Sequence, residues 1–519
     1  MKIFSPSAEK FVQRHALWIC LVGVLAQTLA FHHPTILPQW PEGAHAWRQA
    51  DALSQTQQFH LTPNRPPWRP AMHFIHPDAG HGEGAGEFTG SYWLNARLWS
   101  LLGADAPWPW TLRLTHWLVW LAGLLALFAW SRRLSGQALL AILLTWLVQA
   151  SPVAAFYAPS LLVNPMGLAF VFIAWWAAGK NRWVITAAAM ALAMLFRPTM
   201  ALGLVPLTLL AWRNGSARPA AASTTAALAI ALSWVFWARA YNEATASVYF
   251  LTSTSPLSEV LANGRATEYF TLFRDVLLNE WYPAAVRWAA VVALAVLGVQ
   301  AVRHRAARFW AIWAVATIVA VGGYIYMWFG RLNHHDYYLL DALVLLPVLV
   351  HALDQTLRTR PLLPALLACA VLWSSLASRD RSAAKWGLPS APTRSAHVAP
   401  WEIGMWRNHH AVWRQRFAGM DSLSSRWAAL GVGEEAVLVC MPDASPNIAL
   451  TRLGRNGFTS LYDNDLQGAE RVSHFAALGA THFVVLDPEI LMEGQWNDVS
   501  MTPVDTVGAV WLFSLQHED

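Results

Sequence analysis

The polar chemistry of this sequence opens with carboxylates placed between its first two apolar stretches. Glu42, Asp51 and Glu87 are the principal candidates, with Asp78 and Glu83 behind them. A carboxylate kept beside a membrane surface is costly to desolvate and is retained there for pairing, metal binding or proton transfer. The alternative is an ordinary solvated loop acid. Arg48 stands three residues before Asp51, a spacing that lets the two pair on one helix face and holds the carboxylate ionised. His73, His76 and His81 lie nearby, but their spacing fits no standard zinc pattern, and they read as exposed loop histidines. No cofactor is indicated, and a divalent metal stays open.

A second group sits much further along. Arg331, His334, His335, Tyr337 and Tyr338 crowd the end of an apolar stretch. Arginine recognises phosphate through paired donors, and tyrosine hydroxyls donate at an interface. The plainer reading is an aromatic belt with a snorkelling arginine. Arg197, just before Pro198, lies where two short apolar stretches meet; it is either a second phosphate contact or a simple helix-end charge.

The elements that must position these residues are membrane helices. Of 519 residues, 55% are hydrophobic and only 13% charged, against about 25% charged in an ordinary soluble domain. The apolar residues come in blocks, from Leu17–Phe31 to Leu362–Leu376, most of them near the ~20 residues that cross a bilayer as a helix. Two shorter ones, Trp183–Phe196 and Met200–Trp212, are read as short spans, which brings the total to about eleven. The first block lacks a cleavage site and reads as a retained helix. Cys20, Cys369 and Cys440 are too scattered for a disulfide framework. The net charge of +5 is dispersed in short loops, which argues against a nucleic-acid partner.

With the N-terminus inside, alternate loops carry Arg132 and Arg133, Lys180 and Arg182, Arg213 and Arg218, Arg303, Arg305 and Arg308, then Arg358 and Arg360. The short loops on the other side carry almost no positive charge, so the positive-inside asymmetry predicts a cytoplasmic N-terminus and an external C-terminal portion. The 31 Trp residues suit interfacial belts. Three long segments then face outward: residues 32–107, 238–283 and from about Ser378 onward. In the first, a helix from Ala46 is expected along the membrane surface, and a second amphipathic segment covers Tyr92–Leu102. The last alternates strand and helix patterns, with strands at Ala436–Cys440, His482–Leu486 and Val510–Ser514. This predicts a small α/β domain, with Asp443 and Asp487 just after strands. The expected division is 1–377 for the membrane domain, including outer loop 32–107, and 378–519 for the α/β domain.

Several of these motifs together carry a resemblance. Trp47-Arg48-Gln49-Ala50-Asp51 opens the first outer loop, and Gly86-Glu87-Phe88 follows before a Tyr/Trp-containing segment. Arg197-Pro198 ends a short helix, and His335-Asp336-Tyr337-Tyr338 precedes a Leu/Pro-rich span. The set resembles the bacterial branch of the GT-C membrane glycosyltransferases (family 39-like), related to protein O-mannosyltransferases and the lipid A aminoarabinose transferase. It covers Leu17 to roughly Leu376, and the outer domain more loosely.

The resemblance implies a GT-C fold in a bacterial inner membrane. It also implies transfer of a sugar from a polyprenyl-phosphate donor to a periplasmic lipid, polysaccharide or protein. Asp51 would be the base, Glu87 a second acid or positioning group and Glu42 the reserve. Arg48, Arg197, Arg331, His335, Tyr337 and Tyr338 would hold the donor phosphate. One departure stands out: relatives begin the loop helix with an acid pair, whereas here Arg48-Gln49 occupy those places and Asp51 follows a turn later. The competing readings are a transporter or flippase of lipid-linked sugars and a non-catalytic envelope assembly protein. A transporter would show paired repeats and mid-membrane polar residues, and the sequence shows neither.

Overall fold

The computed structural model describes residues 6–103, 108–247, 254–332, 335–357, 362–461, 466, 468–493, 496 and 499–515. His334, Arg358 and Arg360 lie outside them. The chain divides into two compact units: Met1–Leu37, Arg113–Trp234 and Thr252–Ile403 form one, and Pro38–Leu112, Val235–Leu251 and Gly404–Asp519 the other.

The protein is a multi-pass membrane protein. Among the described residues seven helices are long and apolar enough to cross a bilayer: Glu9–Ala30, Pro109–Ser135, Ala217–Ala244, Ala284–Arg303, Arg305–Leu332, Asp336–Thr356 and Leu362–Lys385. Shorter apolar helices occupy Ala138–Gln149, Asn164–Gly179 and Trp183–Phe196, and Leu204–Arg213 is helical as well. Each apolar block of the sequence is therefore a helix. The break at Arg197 has a local cause: proline forbids helical geometry to the residue before it, and Arg197 is extended at φ −152°, ψ 105°.

Within this first unit the loops gather at two ends. One cavity brings together Arg133, Asn181 and Asn214, and another Gln137, Arg303, His304, Arg305 and Asp354. The loops that the charge pattern assigned to one side therefore share an end. At a different place Tyr157, Glu280, Asp336 and Lys385 meet.

The last span runs nine residues past its apolar block, because Arg379, Asp380 and Arg381 continue the helix to Lys385. It stops where Gly387 takes a positive φ of 59°. There Leu388 N–H donates to Ala383 O and Gly387 N–H to Ala384 O, at 3.0 and 3.1 Å; this paired closure satisfies the last carbonyls of the helix.

The second unit is built on a seven-stranded sheet. Its strands are β1 (Ala71–His76), β2 (His81–Glu83), β3 (Leu438–Met441), β4 (Gly457–Thr459), β5 (His482–Val485), β6 (Met501–Val507) and β7 (Val510–Leu515). The order is β2-β1-β4-β3-β5-β7-β6. The pairs β1–β4, β4–β3 and β3–β5 are parallel, and the outer pairs antiparallel.

The three strands expected from the sequence are present. The others were hidden: β4 is only three residues long, β6 carries Pro503 and Asp505, and β1 reads as a histidine-rich loop. The structure groups the chain differently from the expected boundary at 377/378. Strand β1 of the first outer loop pairs with β4, and Ala46 and Ala50 share an apolar core with Leu438, Ile448 and Leu450. Residues 378–403 belong with the membrane unit instead, because the last span continues through them.

The helix Ala46–Leu61 is buried along nearly its whole length, so it does not lie along a surface as expected; the sheet core takes its alanine face. The segment expected to be amphipathic is the helix Gly90–Leu101, which buries Ser91, Tyr92, Asn95, Ala96 and Trp99 and exposes Leu94, Leu98 and Leu101. The sheet centre is tight at Gly457, where a Cβ would meet the Leu438 carbonyl oxygen and stand 2.8 Å from its amide nitrogen. Backbone cannot give way as a side chain does. Gly457→Ala is therefore expected to cost about 1–3 kcal/mol, read as a lower unfolding temperature and faster proteolysis of the C-terminal region.

Candidate active site

The helix Ala46–Leu61 begins at His45, held at φ 55°, and its Ala46, Ala50 and Leu53 face is buried. Packing that stripe draws Asp51, one residue on, out of solvent: it is 2% exposed. Arg48 Nη1 lies 3.5 Å from Asp51 Oδ2, the pairing expected from their spacing. The other Arg48 nitrogen, Nη2, donates to Glu87 Oε2. Tyr92 OH donates to Glu87 Oε1 at 2.9 Å. Asn447, from the C-terminal segment, donates from Nδ2 to Asp51 Oδ1 at 2.8 Å.

Asn447 is itself oriented. Its Oδ1 accepts from Phe74 N–H at 3.1 Å and from Ser54 Oγ at 3.2 Å, which settles which end of the amide faces Asp51. The turn that carries Asn447 is fixed by Asp443, which accepts from Ser445 N–H, Ser445 Oγ and Ala449 N–H at 2.9, 2.7 and 2.9 Å. Asp443 is thus a capping carboxylate.

Burial pushes Asp51 up to about 6, against the pull of Arg48 and the Asn447 amide. The pairing expected to keep this group fully ionised is present, but desolvation outweighs it. A carboxyl of this kind is ionised at neutral pH yet basic enough to accept a proton, the balance general-base catalysis requires. Glu83 sits in the opposite situation: burial raises it, but Tyr241 OH at 2.9 Å and Arg69 and Arg65 at 3.3 and 3.4 Å outweigh that and hold it below its usual range. It is a structural tie.

Glu42 stands apart from this cluster in its pairing, 3.9 Å from Arg414. Asp78 lies in the β1–β2 turn. His73 and His76 are buried on β1, not exposed as expected; burial pushes them down to about 3 and about 4, so both are neutral. His73 Nδ1 lies 2.9 Å from Ser54 Oγ. Among the described residues no three His, Cys, Asp or Glu side chains come together in a metal-holding group.

The remaining candidates belong to the membrane unit. Arg197 Nε is 3.3 Å from Asp341 Oδ2, and Thr199 and Tyr324 donate hydroxyls to the same oxygen. The guanidinium lies 4.1 Å from the Tyr338 ring centroid and 5.8 Å from that of Tyr337, with the His335 ring tilted against them, 5.4 Å from Tyr338 and 5.3 Å from Tyr337. Arg197 Nη2 is buried and has no hydrogen-bond partner among the described residues. Arg331 ends the Arg305–Leu332 helix.

Beside this group is a cluster the sequence did not reveal. Lys385 Nζ lies 2.5 Å from Asp336 Oδ2 and 3.3 Å from Glu280 Oε2. Arg381 makes a two-pronged pair with Glu402, both contacts 2.9 Å. Tyr157 donates to Asp336. In the sequence Asp336 stood within the His335–Tyr338 motif, and Arg381 and Lys385 lie four apart beyond an apolar block.

No family model matches the sequence, and neither does any curated relative. Solved structures do match. The crystal structure of ArnT from Cupriavidus metallidurans bound to undecaprenyl phosphate aligns with a TM-score of 0.52 at 15% identity, covering 95% of this chain and 97% of that one. The apo form aligns at 0.50 and 14% identity, with the same coverage. This chain has the ArnT fold. The family resemblance read from the sequence is therefore met at the level of fold, and the ArnT fold extends over the C-terminal sheet as well as the membrane helices. At this identity the likeness is one of fold, and residue roles do not transfer by alignment.

Proposed function

We propose that the protein is a membrane glycosyltransferase that moves a sugar from a polyprenyl-phosphate donor to a periplasmic acceptor. It would sit in a bacterial inner membrane with about eleven spans, its N-terminus cytoplasmic and its sheet-bearing unit periplasmic. The observation that carries this reading is Asp51: a buried carboxylate outside the spans, raised to about 6, in a chain with the ArnT fold. Asp51 takes the proton of the acceptor hydroxyl as that oxygen attacks the anomeric carbon, and the bond from that carbon to the phosphate oxygen breaks. The leaving polyprenyl phosphate keeps the electron pair, and cationic donors stabilise the charge. Arg48 and Glu87 hold Asp51 in place, and Glu42, paired with Arg414, is the reserve.

Arg197 is the strongest of the phosphate-binding candidates, because its unpartnered Nη2 offers a donor without first breaking the Asp341 pair. Tyr337 and Tyr338 flank that guanidinium, His335 packs on the two tyrosines, and Arg331 is kept as a further phosphate-binding candidate. Arg197→Gln is expected to weaken binding of undecaprenyl phosphate to the purified protein by roughly tenfold, the scale of one charge-assisted contact. Equal binding by the two proteins removes Arg197 from the site.

The function is tested by profiling envelope glycans and lipids of a deletion strain, then complementing it. The parent gene restores the missing glycan, and Asp51→Asn does not. If Asp51→Asn, Glu87→Gln and Glu42→Gln all restore it, no outer-loop carboxylate is the base. Lipid-linked sugar crossing the bilayer with no glycosylated product would establish a flippase instead.

A further inference from the structure

The cavity bounded by Arg133, Asn181 and Asn214 lies in the membrane unit, at the end where the basic loops gather. It is about 360 Å³ in volume, within the range of small-molecule sites. Its inner wall is tryptophan: Trp130, Trp175 and Trp313, at most 5% exposed. Two of these indoles are satisfied internally, with Trp175 donating to Gly203 O at 2.9 Å and Trp313 to Pro206 O at 2.8 Å. Trp130 has no hydrogen-bond partner among the described residues, so its N–H remains a donor for an occupant.

Basic residues adjoin this lining in the chain, next to Asn181 and Asn214, without being neutralised. Among the described residues Arg133, Lys180, Arg182 and Arg213 have no carboxylate partner. Lys180 and Arg182 lie over the Trp176 ring at 5.6 and 5.7 Å, and Arg213 over Trp310 at 4.2 Å. Arg133 lines the cavity itself.

An apolar aromatic floor, a guanidinium at the entrance and the Asn181 and Asn214 amides beside it describe an amphiphile with an anionic, hydroxylated head. We infer that this cavity binds the phosphate headgroup of an anionic glycerophospholipid. Its phosphate pairs with Arg133, its glycerol hydroxyls meet the two amides, and its upper chain lies on the indoles. The inference does not depend on the transferase reading. Polyprenyl phosphate and free phosphate share the anion, so the test must separate three sources.

The full-length protein is purified in detergent and examined by native mass spectrometry with phosphatidylglycerol, phosphatidylcholine, undecaprenyl phosphate or inorganic phosphate as probe. The parent is expected to retain phosphatidylglycerol in preference to phosphatidylcholine. Arg133→Gln should weaken that retention roughly five- to tenfold, in line with one basic residue at an anionic headgroup. Leu210→Trp, which fills the cavity from a half-buried position, should do the same while its unfolding temperature in phosphatidylcholine stays that of the parent. Equal retention of both phospholipids, or retention unchanged in both variants, overturns the proposal. So does displacement of phosphatidylglycerol by undecaprenyl phosphate or inorganic phosphate that is lost in Arg133→Gln, since that assigns the cavity to another anion.

Discussion

Asp51→Asn is expected to abolish most of the transfer activity and, at pH 7.5, to make the protein more stable. Both effects follow from the raised pKa of Asp51. The folded protein holds the Asp51 proton until about pH 6, whereas the unfolded chain releases it near 3.8. Between those values the folded state binds more protons, so stability falls as pH rises, and above pH 6 the full penalty applies. Two units correspond to about 3 kcal/mol. The Arg48 and Asn447 contacts are already included in that penalty, and the expected gain is about 1–3 kcal/mol. Asparagine does not titrate, so the advantage must vanish below about pH 4. A gain that is the same at pH 4 and pH 8, followed by tryptophan fluorescence on heating, would show that desolvation of Asp51 is not its source.

The activity loss is expected at about 10²–10⁴-fold, the usual contribution of a general base. The parent should lose activity on the acid side with a midpoint near pH 6. Asn447 supplies the control. Its amide favours the ionised carboxylate, so Asn447→Ala should move the acid limb to higher pH while leaving activity at pH 8 nearer the parent value. A limb that stays in place would mean that Asp51 is not the titrating group.

The membrane half of this fold was legible because its signals are one-dimensional. Apolar length identified each helix, arginine alternation identified which loops share an end, and Pro198 identified the break at Arg197. The Asp51, Arg48 and Glu87 cluster was legible in part: helix spacing gave the first pair, and Glu87 stood among the outer-loop carboxylates beside a membrane surface. The rest required contacts that no local pattern encodes. Asn447 lies 396 residues from Asp51, and β1 finds its partner in β4 across most of the chain. A parallel pairing of that kind leaves no turn signal in the sequence. Asp341 was overlooked because it stands inside an apolar span, where its cost is borne only through Arg197, Thr199 and Tyr324.

Lys385→Met should be among the most destabilising single substitutions in the protein. Its ammonium is 1% exposed and lies against two carboxylates, Asp336 and Glu280. Removing it leaves those acids facing each other, with Arg381 3.5 Å from Glu280 and the Tyr157 hydroxyl on Asp336 still in place. Removing one partner of a buried ion pair typically costs about 3–5 kcal/mol, mostly through the stranded charge. Lys385→Arg keeps the charge and should cost less, and Asp336→Asn added to Lys385→Met should restore part of the loss, a coupling readable by double-mutant cycle.

The effect has a pH signature. Burial already raises Glu280, with Lys385 the largest opposing influence. Without Lys385 it rises further, so the folded state of the variant binds more protons than the unfolded chain above its ordinary 4.5. The deficit must therefore be larger at pH 8 than at pH 5. A variant that unfolds with the parent, or whose deficit ignores pH, would mean that the cluster is solvated and carries no stability.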